Sequence, residues 1–164
     1  MAVGAKKNVI IVGGGLAGLA CAIKLAEEGA DVAITYSASK DKAEKVAAAI
    51  TKLGRKAFII QADANEPAKV AQAVADAAKA LGGLDILVNN AGVFEAGGVI
   101  GAIDAVQFEH QLNVNVRSVF ATTQAAVAHL KAGGRIVNVS SCLGERAIMP
   151  GASAYTMTKF AVAG

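Results

Sequence analysis

Tryptophan is absent from this 164-residue chain, proline and cysteine each occur twice, and aromatic residues reach only 4%. Two prolines leave no Pro-rich linker, and no low-complexity segment or internal repeat marks a second unit, so a single domain over 1–164 is expected. Cys21 and Cys142 lie far apart with neither metal nor disulfide spacing, which reads as two reduced thiols in a cytoplasmic protein. Charged residues are also sparse, at 18% with a net charge of +3. Lysine and arginine are scattered, so no nucleic-acid footprint is indicated. No apolar run approaches the length of a membrane span, and the stretch behind the N-terminal lysines is broken by Gly13, Gly14 and Gly15. That stretch reads as a buried strand rather than a signal peptide. His110 and His129 have no Cys, Asp or Glu spacing that would make a metal site; both are expected at the surface or an interface, and no metal is expected. Glu95, Asp104 and Glu109 read as solvated.

What is abundant is apolar residues, at 54%, and glycine, with 18. Short apolar runs at Val9–Val12, Val32–Tyr36, Phe58–Gln61, Ile86–Asn89 and Arg135–Val139 read as strands. They lack strict alternation, as expected when both faces of a parallel sheet are covered. Between them, Ala17–Glu28, Lys40–Leu53, Pro67–Leu81 and Asp104–Leu130 read as helices, and a fifth starts at Ser153. Gly29, Gly54 and Gly82-Gly83 suit helix stops, and Pro67 suits a first turn. Alternating strands and helices imply right-handed crossovers and an α/β fold of the Rossmann type. The expected architecture is a doubly wound parallel sheet with strand order 3-2-1-4-5.

The first strand runs into Gly13-Gly14-Gly15-Leu16-Ala17-Gly18, a G-x-G-x-x-G between strand and helix. Gly13 permits the tight turn, Gly15 lets a pyrophosphate approach the backbone, and Gly18 allows close helix–strand packing. The helix N-terminus at Ala17 adds N–H donors and partial positive charge, with Leu16 of the same loop also counted among the cofactor-binding residues. A dinucleotide fingerprint of this kind calls for an acidic residue at the end of strand two. Tyr36 stands there instead, followed by Ser37, Ala38, Ser39 and Lys40. Hydroxyls and a cation could bind a 2′-phosphate that a carboxylate would repel, so NADP(H) is favoured and NAD(H) remains open. Lys40 reads equally as a solvated first-turn lysine.

Tyr155-Thr156-Met157-Thr158-Lys159 places a phenol and an ammonium on one helix face. A free tyrosine titrates near pH ~10, and a neighbouring cation brings it toward the range useful for proton transfer. A solvated helix face can carry the same spacing by chance. The order of motifs decides. A Gly-rich loop, Asp63 after strand three, Asn89-Asn90-Ala91-Gly92 after strand four, Asn115, Ser141, Tyr155 and Lys159 together resemble the short-chain dehydrogenase/reductase family. From Gly29 onward the likeness is to its 3-oxoacyl-carrier-protein reductase–like branch.

That resemblance implies roles. Asp63 would bond the adenine with Ala64 beside it, and Asn90, Ala91 and Gly92 would line the cofactor ribose, with Asn89 bracing the central strands. Tyr155 would be the proton donor or acceptor, and Ser141 would hold the substrate oxygen. Lys159 would bind the nicotinamide ribose and tune Tyr155, while Asn115 would position a water in the proton relay. A carbonyl or secondary-alcohol substrate and a homo-oligomer built through the 105–130 helix are implied as well. Two features depart from the family. Its usual T-G-x-x-x-G-x-G loop has glycines where Val12 and Leu16 stand here, so the first thirty residues also look like a flavoprotein fingerprint, and FAD ranks third among cofactors. The chain also reaches only Gly164, where family members run to about 250 residues. The alternative function is a non-catalytic dinucleotide-binding module.

Overall fold

The computed structural model describes residues 6–95, 102–146 and 149–164. Five strands, β1 (Asn8–Val12), β2 (Asp31–Tyr36), β3 (Ala57–Gln61), β4 (Leu84–Asn89) and β5 (Leu130–Asn138), form one sheet in the order β3-β2-β1-β4-β5. Every neighbouring pair is parallel; Val9 stands opposite Val32 on one side and Ile86 on the other. Among the described residues six α-helices lie between and after the strands: α1 (Leu16–Glu27), α2 (Lys40–Lys52), α3 (Pro67–Leu81), α4 (Ala105–Leu112), α5 (Ser118–Val127) and α6 (Ser153–Ala163). The expected Rossmann-type order is the observed one.

All residues of β1 and β2 are buried, because both sheet faces are covered and side chains of either parity need an apolar neighbour. Successive residues of β1 feed opposite faces. Ile10 and Val12 join α3 residues Val70, Val74, Ala77 and Leu81 in one core. Val9 and Ile11 join Leu19, Ala22 and Ala26 of α1 and Ile50 of α2 in the other. Alanines at the contacts let the helices lie close to the sheet. Gly82, with φ 78°, ends α3 in the left-handed conformation that glycine adopts without cost.

The predicted single helix over 104–130 is not what forms. Asp104 caps α4 by accepting from Val106 N at 2.9 Å. A π-turn over Asn113–Arg117 then separates α4 from α5, and α5 ends at Val127. The helical turn widens where Asn115 reaches sideways to the loop after β4 and Ser118 Oγ donates to Val114 O at 2.6 Å. Leu130, expected to close that helix, opens β5 instead, paired with Leu84. Ile86 pairs with Arg135, so β5 bulges through Lys131–Gly134. This polar, glycine-containing start is why the apolar run alone placed the strand five residues later.

At the N-terminal ends of the strands lies a charge cluster. Asp31 Oδ1 accepts from Arg55 Nη2 at 2.6 Å and from Lys56 N at 3.0 Å, and its Oδ2 lies 2.6 Å from Lys6 Nζ. Among the described residues no helix is long and apolar enough to cross a membrane.

Candidate active site at the C-terminal rim of the strands

The opposite rim carries a cleft of about 540 Å³ lined by residues 13–17, 35–37, 62–64 and 90–93, with Ser39, His110 and Val114. Such a crevice is where open α/β sheets hold ligands. Its floor is built by mutual hydrogen bonding of two loops. Gly13 N donates to Thr35 Oγ1 at 3.1 Å. Asn90 N and Ala91 N both donate to Val12 O, at 3.0 and 2.7 Å, and Asn90 Nδ2 donates to Gly13 O at 3.0 Å.

The three fingerprint glycines have different surroundings. Gly13 has φ +107°, and a β-carbon there would lie 2.6 Å from Ala91 N. A β-carbon on Gly18 would lie 2.1 Å from Gly13 O, so α1 can pack this tightly only on glycine. Gly15, the residue before α1, has nothing within 4 Å of such a position. It faces open space at a helix N-terminus whose first N–H groups lack helical partners. Leu16, 90% exposed, stands beside it. Tyr36 is buried, and Ser37 and Ser39 reach the cleft. Lys40 is not part of that lining; its exposed ammonium lies 3.5 Å from Glu44. Asp63 and Ala64 line the far wall, with Asp63 Oδ1 accepting from Asn65 N at 2.9 Å.

Tyr155 and Lys159 come from α6. The Lys159 ammonium lies 5.8 Å from the centre of the Tyr155 ring and donates to Val139 O at 2.9 Å. Lys159 is buried, and burial lowers its pKa from the ordinary lysine value. A β-carbon on Gly92 would sit 3.3 Å from that ammonium, so the lysine head abuts the cleft wall. Phe94 meets Tyr155 edge-to-face, with ring centres 4.9 Å apart. Ser141 heads the 3-10 turn Cys142–Gly144 and accepts from Leu143 N at 3.2 Å. That turn is docked on α6: Ser140 Oγ donates to Lys159 O at 3.0 Å, and a β-carbon on Gly144 would lie 3.0 Å from the same oxygen.

Asn115 is fully buried and its amide is committed. Nδ2 donates to Val93 O at 2.9 Å and to Thr158 Oγ1 at 3.0 Å, while Oδ1 accepts from Val93 N at 2.8 Å. Both amide hydrogens are used, so the side chain clamps two elements and has none to offer a water. Asn89 binds Asn138 Oδ1 at 2.9 Å and Thr123 Oγ1 at 3.3 Å and accepts from Thr122 Oγ1 at 2.8 Å, tying β4 to β5 and α5.

Sequence reasoning missed Thr158, Ser140 and the Glu95–His110 pair. Glu95 is half-buried rather than fully solvated. Its Oε1 lies 2.7 Å from His110 Nδ1, its Oε2 is buried, and Gln111 brackets its backbone at 3.4 and 3.3 Å. His110 accordingly faces the cleft. Fifteen residues of separation leave no periodic signal for such a pair. Asp104 serves as a helix cap, and Glu109 is exposed and pairs with Arg117 at 2.7 Å.

The family model described as short chain dehydrogenase matches residues 7–164. The chain belongs to the short-chain dehydrogenase/reductase family. An uncharacterized oxidoreductase of Methylorubrum extorquens is 40% identical over 160 residues, covering 94% of this chain and 62% of that protein. A short-chain dehydrogenase/reductase from Serratia marcescens superimposes with a TM-score of 0.89 at 45% identity, covering 94% of this chain and 64% of its own. A short-chain dehydrogenase from Burkholderia cenocepacia, solved in complex with NADP, gives 0.86 at 44%, covering 96% and 64%. This short-chain dehydrogenase/reductase chain therefore spans less than two thirds of the length of these relatives.

Proposed function

We propose that this chain supplies the dinucleotide-binding and proton-transfer parts of an NADP(H)-dependent oxidoreductase acting on a carbonyl or secondary-alcohol substrate. The observation that carries the reading is the junction at Gly92, where the wall of the rim cleft touches the buried ammonium of Lys159 beside Tyr155. The donor set fits the cofactor. The open face of Gly15 and the first N–H groups of α1 suit a pyrophosphate. Asp63 and Ala64 suit the adenine end, and Asn90, Ala91 and Gly92 suit a ribose. Ser37 and Ser39 bring hydroxyls to the cleft, and β2 ends in Tyr36 rather than in a carboxylate, which supports NADP(H) over NAD(H). The NADP-bound Burkholderia relative supports the same choice.

The chemistry supplied by a nicotinamide held there would be hydride exchange with a carbonyl or alcohol carbon. The chain's own residues handle the oxygen. Ser141 donates a hydrogen bond where negative charge develops on that oxygen, and Tyr155 delivers its phenolic proton there, or removes it in the reverse direction. Lys159 keeps positive charge next to the phenol and has two N–H groups beyond the one given to Val139, available to a ribose hydroxyl. Asn115 acts through its grip on Val93 and α6.

The same reading includes one dinucleotide-binding domain, a cytoplasmic location and a homo-oligomer. Val106, Phe120 and Val127 on α4 and α5 are 77%, 70% and 62% exposed, an apolar face that suits a subunit contact.

Calorimetric titration with NADPH, NAD(H) and FAD, followed by a turnover assay on ketones with the cofactor that binds, tests the proposal. NADPH is expected to bind tightest. Tyr155→Phe is expected to keep NADPH binding while turnover drops about 10²- to 10⁴-fold. Undiminished turnover in that variant would remove the assigned role.

A further inference from the structure

We infer that Thr158 is a positioning residue that locks the cleft wall after β4 onto the helix carrying Tyr155 and Lys159; the inference rests on the function proposed above. Thr158 is fully buried. A buried helical threonine commonly returns its hydroxyl hydrogen to a carbonyl in the preceding turn, and Thr158 does so, donating to Tyr155 O at 2.7 Å. Its oxygen does something further, accepting from Asn115 Nδ2 at 3.0 Å. With its hydrogen committed to α6, the hydroxyl can only accept from Asn115, which fixes the direction of the whole network.

The consequence reaches the cleft. The same Asn115 amide holds the backbone of Val93 at two points, 2.8 and 2.9 Å. Val93 follows Gly92, whose α-carbon backs onto the Lys159 ammonium. One hydroxyl thus connects the helix bearing the proton donor to the loop that would hold the cofactor's nicotinamide end. Thr156, the other buried hydroxyl on α6, has no hydrogen-bond partner among the described residues, so burial of a threonine in this helix does not by itself create such a link.

Thr158→Val keeps the side-chain shape and removes the acceptor, leaving one buried Nδ2 hydrogen of Asn115 unpaired. Thr158→Ser keeps both hydrogen bonds. The probes are NADPH, which spans the cleft, and adenosine 2′,5′-bisphosphate, which fills only its adenine half. Thr158→Val is expected to weaken NADPH about tenfold and the bisphosphate by less than about twofold, with Thr158→Ser restoring parental affinity. Where the variant turns over, kcat is expected to fall more than KM for the ketone rises. Thr158→Ala, which adds no bulk, carries the same expectation should the valine variant not fold. Equal weakening of both probes, parental NADPH affinity in Thr158→Val, no rescue by serine, or loss of folding in both valine and alanine variants each overturns the inference. Failure of the unaltered chain to bind NADPH overturns instead the function on which it rests.

Discussion

Gly18→Ala is the sharpest test of how the first loop is built. The added β-carbon would stand 2.1 Å from Gly13 O and 2.8 Å from Asn90 Nδ2. Ordinary contact needs roughly 3.5 Å, so the helix or the loop must retreat by more than 1 Å. The obstacle is backbone rather than a flexible side-chain end, and the loop is pinned by the hydrogen bonds of Asn90 and Ala91 to Val12 O. Overpacking of this kind costs about 1–3 kcal/mol. Prying Gly13 O from Asn90 Nδ2 breaks a part-buried hydrogen bond, for about another 0.5–1.5 kcal/mol. Set against a typical total of about 5–15 kcal/mol, the variant folds but marginally. With a urea slope near 2 kcal/mol/M, its unfolding midpoint is expected about 1–2 M below the parent's.

Gly15→Ala is the control. It has φ −71° and an empty surround, so alanine should leave the midpoint unchanged or raise stability by about 0.4–1 kcal/mol through the unfolded chain. Its β-carbon would occupy open space at the N-terminus of α1 on the cleft rim, however, and NADPH binding should weaken at least about tenfold, or about 1.4 kcal/mol. Urea denaturation and calorimetric titration of both variants thus separate a packing glycine from a ligand-facing one. A Gly18→Ala protein with the parental midpoint, or a Gly15→Ala protein with reduced stability and unimpaired binding, would refute the reasoning.

Two further outcomes concern charge. Burial pushes the Asp31 carboxyl up, but the Lys6 hydrogen bond, the Lys56 N–H and the Arg55 charge outweigh it and leave its pKa below the ordinary aspartate value. Its stabilisation is therefore present above the unfolded value of about 3.9 and is lost as pH falls through the folded one; urea midpoints between pH 7 and 3 should show an acid loss that Asp31→Asn, already weaker at pH 7, does not share. Lys159 shifts the other way for a base: burial lowers its pKa, so the folded chain gives up this proton before the unfolded chain does. Stability should then gain with rising pH toward about 10.4, and Lys159→Met should flatten that gain while abolishing tight NADPH binding. A parental pH profile in Lys159→Met would show that the ammonium is not held against its solvation preference.

What could be read in the sequence was local. Buried parallel strands announce themselves as unbroken apolar runs such as Val9–Val12, and the glycines around the first loop carry a backbone requirement visible in their spacing. The start of β5 was hidden because Lys131–Gly134 bulges away from the ladder and needs no apolar residues. The π-turn was hidden because nothing in Asn113–Arg117 disfavours an α-helix; the widening answers to Val93, more than twenty residues earlier. The same holds at the site. Positions 155 and 159 follow from helical geometry, but the burial of the lysine follows from Gly92 and Val139, which arrive from two different strands. A buried ammonium with one protein hydrogen bond contributes little to the fold by itself. A dinucleotide that took up its other N–H groups, as proposed above, would offset the cost of burying it.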